Sequence, residues 1–318
     1  MNKALLRIVI VSLMWTSGAV AGASGQVAGQ PSAAGPQARV VVTVVRRNSR
    51  APRVMTQANV LVFQQHQRRP VISWVRAKGS AAPLDLAVVV DDSLGSAFDN
   101  QIRDLREFVR SLPDSARVAV VYSTNSNANI LQPFTADFER AARAFRLPLG
   151  RTNEVSSIYM AVADLFKFWP ADPGRRRAIL LVSDGIDVYR GIEESEPGNN
   201  PDLEQAIREV LRHGVTVYTI YASGAGFAHQ NLFLLNNGQS CLSLLTLETG
   251  GEAFFQGLHT PVSFSPYLRQ LNQLLSSQYV LTFKAAPLKK PGREPLHVTT
   301  ELPGVELMAP TEVWVTPQ

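Results

Sequence analysis

A mostly parallel α/β sheet is predicted by two long apolar runs and by the helical stretches that separate them. Leu86-Ala87-Val88-Val89-Val90-Asp91 and Ala178-Ile179-Leu180-Leu181-Val182-Ser183-Asp184 show no polar alternation, the pattern of strands buried on both faces. Each run stops at a carboxylate followed by small residues. Ligands of open parallel sheets collect beyond the carboxyl ends of the strands. Asp91, Ser93 and Asp184 are therefore expected at one crevice, which in outline is a hard-cation site.

The remaining elements follow in order. Residues 39–78 read as short strands, with Val40-Val41-Val42-Thr43-Val44-Val45 β-branched throughout and Val60–Phe63 and Val71–Val75 following polar turns. After strand 85–91 a helix near 100–112 places Leu105, Phe108, Val109 and Leu112 on one face. Residues 117–123 and 128–134 form a hairpin-like pair that supplies an antiparallel edge strand. A helix near 155–168 ends at Trp169-Pro170, because proline disfavours helix before it. Strand 177–183 comes next, then a helix over 201–213 with Asn200 as cap, Pro201 in its first turn and Gly214 past its end. Strand 215–222, a helix near 240–249, strand 252–256 and a helix opening at Ser265-Pro266 complete the centre. Strand-like segments at 278–284, 296–302 and 305–315 mirror those at the start, so the two flanks are expected to meet as a small β-sandwich around an inserted α/β unit. The expected boundaries are a signal sequence over 1–23, a lead-in over 24–38, a β-rich flank over 39–80, the α/β unit over 84–277 and a second β-rich flank over 278–318.

The residues at the strand ends resemble the von Willebrand factor A (VWA) family. Its metal-ion-dependent adhesion site reads Asp-x-Ser-x-Ser after the first strand, a Thr opening a later helix, and Asp-Gly after the fourth strand. Asp91 and Ser93 match the first two positions; Gly95 takes the third, with Ser96 one place later. Ser156 falls at the Thr position when Ser156–Val162 is laid on the family pattern, and Thr152 is a nearby alternative. Asp184-Gly185 matches the last element. The chain is also similar to the VWFA-related secreted proteins described from acidobacteria, through its segments Leu247–Phe254 and Tyr279–Phe283. The resemblance spans roughly residues 40 to 315 and implies a Rossmann-like VWA domain with helices on both faces of its sheet. It also implies a site for Mg²⁺, or for Mn²⁺ or Ca²⁺. Asp91, Ser93 and Ser156 would be ligands or near-ligands, with Ser96 or water replacing the missing hydroxyl and Asp184 acting through water. A protein partner would offer a carboxylate to the open position.

Charge is unevenly distributed. The first 84 residues hold eleven Lys and Arg and no acid, and all 26 acidic side chains follow. Such a basic face suits an anionic partner, a membrane surface or the acidic half of the same chain. Nucleic acid is not expected, because residues 1–23 read as a secretory signal: Lys3 and Arg7, an apolar run over 8–15, and Ala19-Val20-Ala21 as a cleavage site. That run is shorter than the roughly 20 residues needed to span a bilayer, so a secreted or periplasmic chain without a transmembrane segment is expected. Cys241 is the only cysteine and is expected to be a buried, inert thiol.

Two loops are expected beside the crevice. One, over 185–200, carries Asp187, Glu193, Glu194 and Glu196. The other, over 223–239, crowds Phe227, Leu232, Phe233 and Leu234 into a polar, glycine-rich stretch, which suggests a protein contact. No motif of an enzyme is present. Ser93 stands where a phosphotransfer Asp would be needed, and the five histidines show no ligand spacing with one another. The expected activity is adhesion-type protein binding, with a metal-free scaffold that binds through its basic β-module as the alternative.

Overall fold

In this computed structural model, residues 35–47, 54–95, 97–150, 156–172, 174–224 and 231–317 are described. The expected signal sequence and most of the lead-in lie outside them, as do Ser96, Thr152 and Phe227. Strand β1 (Gln37–Arg46) already starts inside the expected lead-in, since Gln37 and Ala38 pair with Lys284 and Phe283. It is followed by β2 (Leu61–Gln64), β3 (Gln67–Arg69) and β4 (Val71–Arg76).

The centre runs β5 (Leu84–Asp91), α1 (Asp99–Arg110), β6 (Arg117–Thr124), β7 (Asn127–Thr135), α2 (Phe138–Arg143), α3 (Ile158–Asp164), β8 (Arg176–Ser183), α4 (Pro201–Arg212), β9 (Val215–Tyr221), α5 (Leu232–Thr249), β10 (Ala253–Phe254) and α6 (Ser265–Ser276). Its sheet has the order β10-β9-β8-β5-β6-β7. Every pairing is parallel except β6 with β7, the antiparallel edge. Because side chains alternate across a strand, β5 feeds both cores. Leu86, Val88 and Val90 pack with Leu105 and Val109 of α1 and Leu271 of α6. Ala87 and Val89 pack with Tyr159 of α3, Leu203 of α4 and Leu242 of α5.

Strands β11 (Gln278–Lys284), β12 (Gly292–Thr299), β13 (Val305–Met308) and β14 (Glu312–Val315) return to the amino-terminal ones. One sheet has the order β13-β1-β11-β4 and the other β14-β12-β2-β3. Between them lie Val42, Val62, Leu281, Phe283, Val298 and Val315, all buried. The flanks thus form a β-sandwich with the α/β unit inserted between β4 and β11.

Five elements differ from the expectation. The strand placed at 296–302 starts earlier, at Gly292, and the stretch 305–315 breaks into two strands. Helix α2 has a side-chain cap, Asp137 accepting from Arg140 N at 2.9 Å, although its six residues are too few for a periodic signal. Helix α3 is only seven residues long and runs into a 3₁₀ turn ending at Lys167. Helix α5 begins at Leu232 rather than near 240, with Asn231 accepting from the amides of Phe233 and Leu234.

The basic amino-terminal flank meets acid within the chain where Arg47 pairs with Glu306, and in the carboxyl-terminal flank Arg293 of β12 reaches both Glu204 of α4 and Glu312.

Candidate metal centre

Adjacent strands β5 and β8 place Asp91 and Asp184 at the same end of the sheet, since Val90 is in register with Val182. The chain leaves these two strands toward opposite halves of the sheet, β5 leading to β6 and β8 to β9. The crevice between them is therefore the topological switch point. Asp91 is 5% exposed and Asp184 4%.

Hydroxyls hold the Asp91 carboxylate on both sides. Ser93 donates its Oγ (2.7 Å) and its amide (3.0 Å) to Oδ1. Ser183 Oγ donates to Oδ2 at 2.7 Å and accepts from Gly185 N at 3.0 Å. Asp184 Oδ1 accepts from Ile186 N at 2.8 Å, which closes the turn after β8. Burial, reinforced by the nearby Asp184 charge, pushes the Asp91 carboxyl up to about 6. The same Asp184 charge adds to burial in pushing the Tyr221 hydroxyl up to about 12.

Of the five residues predicted at a metal, the structure brings Asp91, Ser93 and Asp184 to one end of the sheet. Ser96 lies outside the described residues. Ser156 is half-buried immediately before α3, but the cap of that helix is its neighbour Ser157. Ser157 Oγ accepts from Met160 N at 3.3 Å and donates to Asp187 Oδ2 at 2.5 Å, while its amide donates to Ser126 Oγ at 2.9 Å. Ser183 and Ser157 were not among the residues predicted at the metal, and the buried Asp187 was expected only as a carboxylate of the 185–200 loop. The hydroxyl-before-Asp-Gly order and the Ser-x-x-x cap position were the signals for the first two.

Asp92, the neighbour of Asp91, is also buried. It accepts a two-pronged pair from Arg146 at 2.6 and 2.7 Å, and Thr124 Oγ1 at 2.7 Å. It is 2% exposed and anchors the segment that leads toward Ser156. Among the described residues, no group of three or more His, Cys, Asp or Glu is arranged to hold a metal ion. The oxygen set here is two carboxylates with hydroxyls.

The apolar rim is also redrawn. Leu234 is buried and is unavailable to a partner, because it belongs to the inner face of α5 and not to a loop. Leu232 and Phe233 are 63% and 46% exposed, and Tyr189 and Ile192 are exposed in the segment after β8. That segment packs on α5 through Ser195, which accepts from Asn237 Nδ2 at 2.9 Å. Cys241 is buried beside it, and burial pushes its thiol up to about 12, as an inert thiol requires.

The sheet order, the single antiparallel edge and the paired aspartates at the switch point define a fold of the von Willebrand factor A type. No family model matches the chain, and no curated protein matches it either. Similar solved structures include BatB from Bacteroides thetaiotaomicron, at 14% identity and TM-score 0.45 over 61% of this chain and 97% of that one. An aerotolerance-related membrane protein from Bacteroides fragilis matches at 13% identity and TM-score 0.43, over 60% of this chain and 98% of that one. A von Willebrand factor type A structure from Catenulispora acidiphila matches at 12% identity and TM-score 0.43, over 80% of this chain and 75% of that one. The fold assignment rests on the strand order of this chain. No helix among the described residues is long and apolar enough to cross a membrane.

Proposed function

We propose that this chain is a secreted or periplasmic VWA-type binding module that engages a protein partner through a divalent cation at the β5–β8 crevice. The observation that carries the reading is the placement of two buried carboxylates, Asp91 and Asp184, on adjacent strand ends with Ser93 and Ser183 between and beside them. Such a donor set contains only hard oxygens, which suits Mg²⁺, Mn²⁺ or Ca²⁺ and not a soft metal. Asp91, Ser93 and Asp184 would hold the ion, with Ser156 or Ser96 completing the set. When bound, the ion supplies an electrophilic position for a partner's carboxylate. Leu232 and Phe233, with Tyr189 and Ile192, offer an apolar rim beside that position.

The test is titration calorimetry with Mg²⁺ and Mn²⁺ on the unmodified chain and on Asp91→Ala and Asp184→Ala. Heat with the unmodified chain that both variants abolish supports the reading; no heat with either ion removes it. One observation favours a second reading: both oxygens of Asp91 already accept hydroxyls without an ion. In that case the chain is a metal-free scaffold that binds partners through its basic β-module, and partner capture would be insensitive to chelator.

A further inference from the structure

Three consecutive arginines, Arg175 and the first two residues of β8, lie at the far end of that strand from Asp184. Alternation sends the middle one to the opposite face from the other two. Arg176 is buried at the seam with the sandwich, donating to Leu275 O at 2.7 Å and to Ala82 O at 3.2 Å. Arg175 binds Asp85 at 2.5 Å, and Asp85 also holds Arg117 by two hydrogen bonds. Among the described residues, Arg177 has no carboxylate at ion-pair distance, although the Asp85 and Asp172 charges act on it from farther away. It donates to the carbonyls of His213 and Pro170, each at 3.2 Å, and its buried Nε has no hydrogen bond.

Arg177 opens on a cavity of about 290 Å³ between the amino ends of the central strands and the sandwich, shared with Arg39 of β1, Arg212 at the end of α4, and Trp314 of β14. Arg212 lies over the Trp314 ring, 6.0 Å from its centre. The acid that lines this space, Glu312, is engaged by Arg293 at 3.3 Å. Burial lowers the pKa of Arg39, and the neighbouring Arg177 charge lowers it further. Like charges held close together repel, and an anion between them relieves that repulsion.

We propose that this cavity binds a small phosphate monoester, with the phosphoryl group between Arg39 and Arg177 and the organic portion against Trp314 and Val41. A dianion matches two guanidinium groups arriving from different elements. A tetrahedral oxyanion also presents an acceptor edge to each planar fork, which one carboxylate cannot do for both. The volume exceeds that of a bare phosphate ion and lies at the small end of ligand pockets, which limits the organic portion to about the size of one ring.

The test is titration calorimetry of the full chain with phenyl phosphate, inorganic phosphate and benzoate, at constant ionic strength in phosphate-free buffer. Phenyl phosphate is expected to bind one to one and more tightly than the other two. Arg39→Gln and Arg177→Gln should each weaken it by about tenfold or more, while the remote Arg269→Gln should not. The Arg39 side chain is exposed, so its variant keeps the test valid if Arg177→Gln fails to fold by circular dichroism. Absence of binding overturns the proposal, as does binding that survives Arg39→Gln or is weakened equally by Arg269→Gln. Benzoate binding as tightly as phenyl phosphate overturns the phosphoryl assignment.

Discussion

Gly185 and Gly238 pack backbone against backbone beneath the candidate metal centre. A Cβ built on Gly238 would stand 2.4 Å from Asp184 O, and one on Gly185 would stand 2.4 Å from Gly238 O. Gly185 also has φ 71°, which side-chain-bearing residues rarely adopt. Helix α5 thus runs directly along the turn that presents Asp184. Gly238→Ala is expected to force the helix off that turn and to cost about 2 kcal/mol, as overpacking does. Urea denaturation measures the cost; a loss within error of zero would mean the contact yields freely.

Acid–base behaviour should separate the metal-free protein from the metal-bound one. Burial and the Asp184 charge raise the folded Asp91 carboxyl to about 6 from 3.8, so the folded state binds more protons than the unfolded one between those values. Stability of the metal-free chain should therefore fall as pH rises from about 4 to 6 through this group. Saturating Mg²⁺ should reverse the trend, since it binds the ionised form. Melting temperatures across pH 4–7, with Mg²⁺ and with chelator, give the two slopes; parallel curves would argue against cation binding at Asp91.

Space around Gly95 is open: a Cβ there would meet nothing within 4 Å. Gly95→Ser would supply the hydroxyl that the family pattern carries at this position. It should leave the melting temperature nearly unchanged and tighten Mg²⁺ binding by about 1 kcal/mol, the worth of a typical added polar contact. Unchanged affinity in calorimetry would mean that this position does not face the ion.

Breaking the Asp92–Arg146 pair should be costly even though neither residue is proposed to touch metal or partner. Arg146→Ala leaves the buried Asp92 carboxylate without its two-pronged donor. About 2 kcal/mol is expected, below the full figure for a buried pair because the Arg146 side chain is 32% exposed. Denaturant unfolding measures it.

The apolar residues of α5 should divide by face. Leu232→Ser with Phe233→Ser should change stability by less than about 0.5 kcal/mol, as surface substitutions do, and should abolish partner capture. Leu234→Ser should cost about 3 kcal/mol through lost core packing. If the exposed pair proves as destabilising as Leu234, the patch is structural.

Strand ends were the most legible part of this chain. The runs ending at Asp91 and Asp184 are apolar throughout, so both strand type and burial follow from composition, and parallel pairing brings their carboxylates to one edge. The start of α5 was not legible. Its first two turns, Leu232–Gln239, contain Asn236, Asn237 and Gly238, poor helix formers that read as loop. The packing against the Asp184–Gly185 turn overrides that propensity, and only tertiary structure reveals the need for a glycine there. The burial of Asp92 was hidden for a similar reason. Alternation predicts the direction of its side chain but not the arrival of Arg146, 54 positions later.

The sandwich is sealed by segments from opposite ends of the sequence: β1 is clasped between β11 and β13. During synthesis the amino-terminal strands must wait, without their final neighbours, until the whole central unit has emerged. Order in the middle must then come first, since that unit brings β11 back to β4 and β1. The exposed early strands are the stage at which a chaperone, or a neighbouring nascent chain, has its opening.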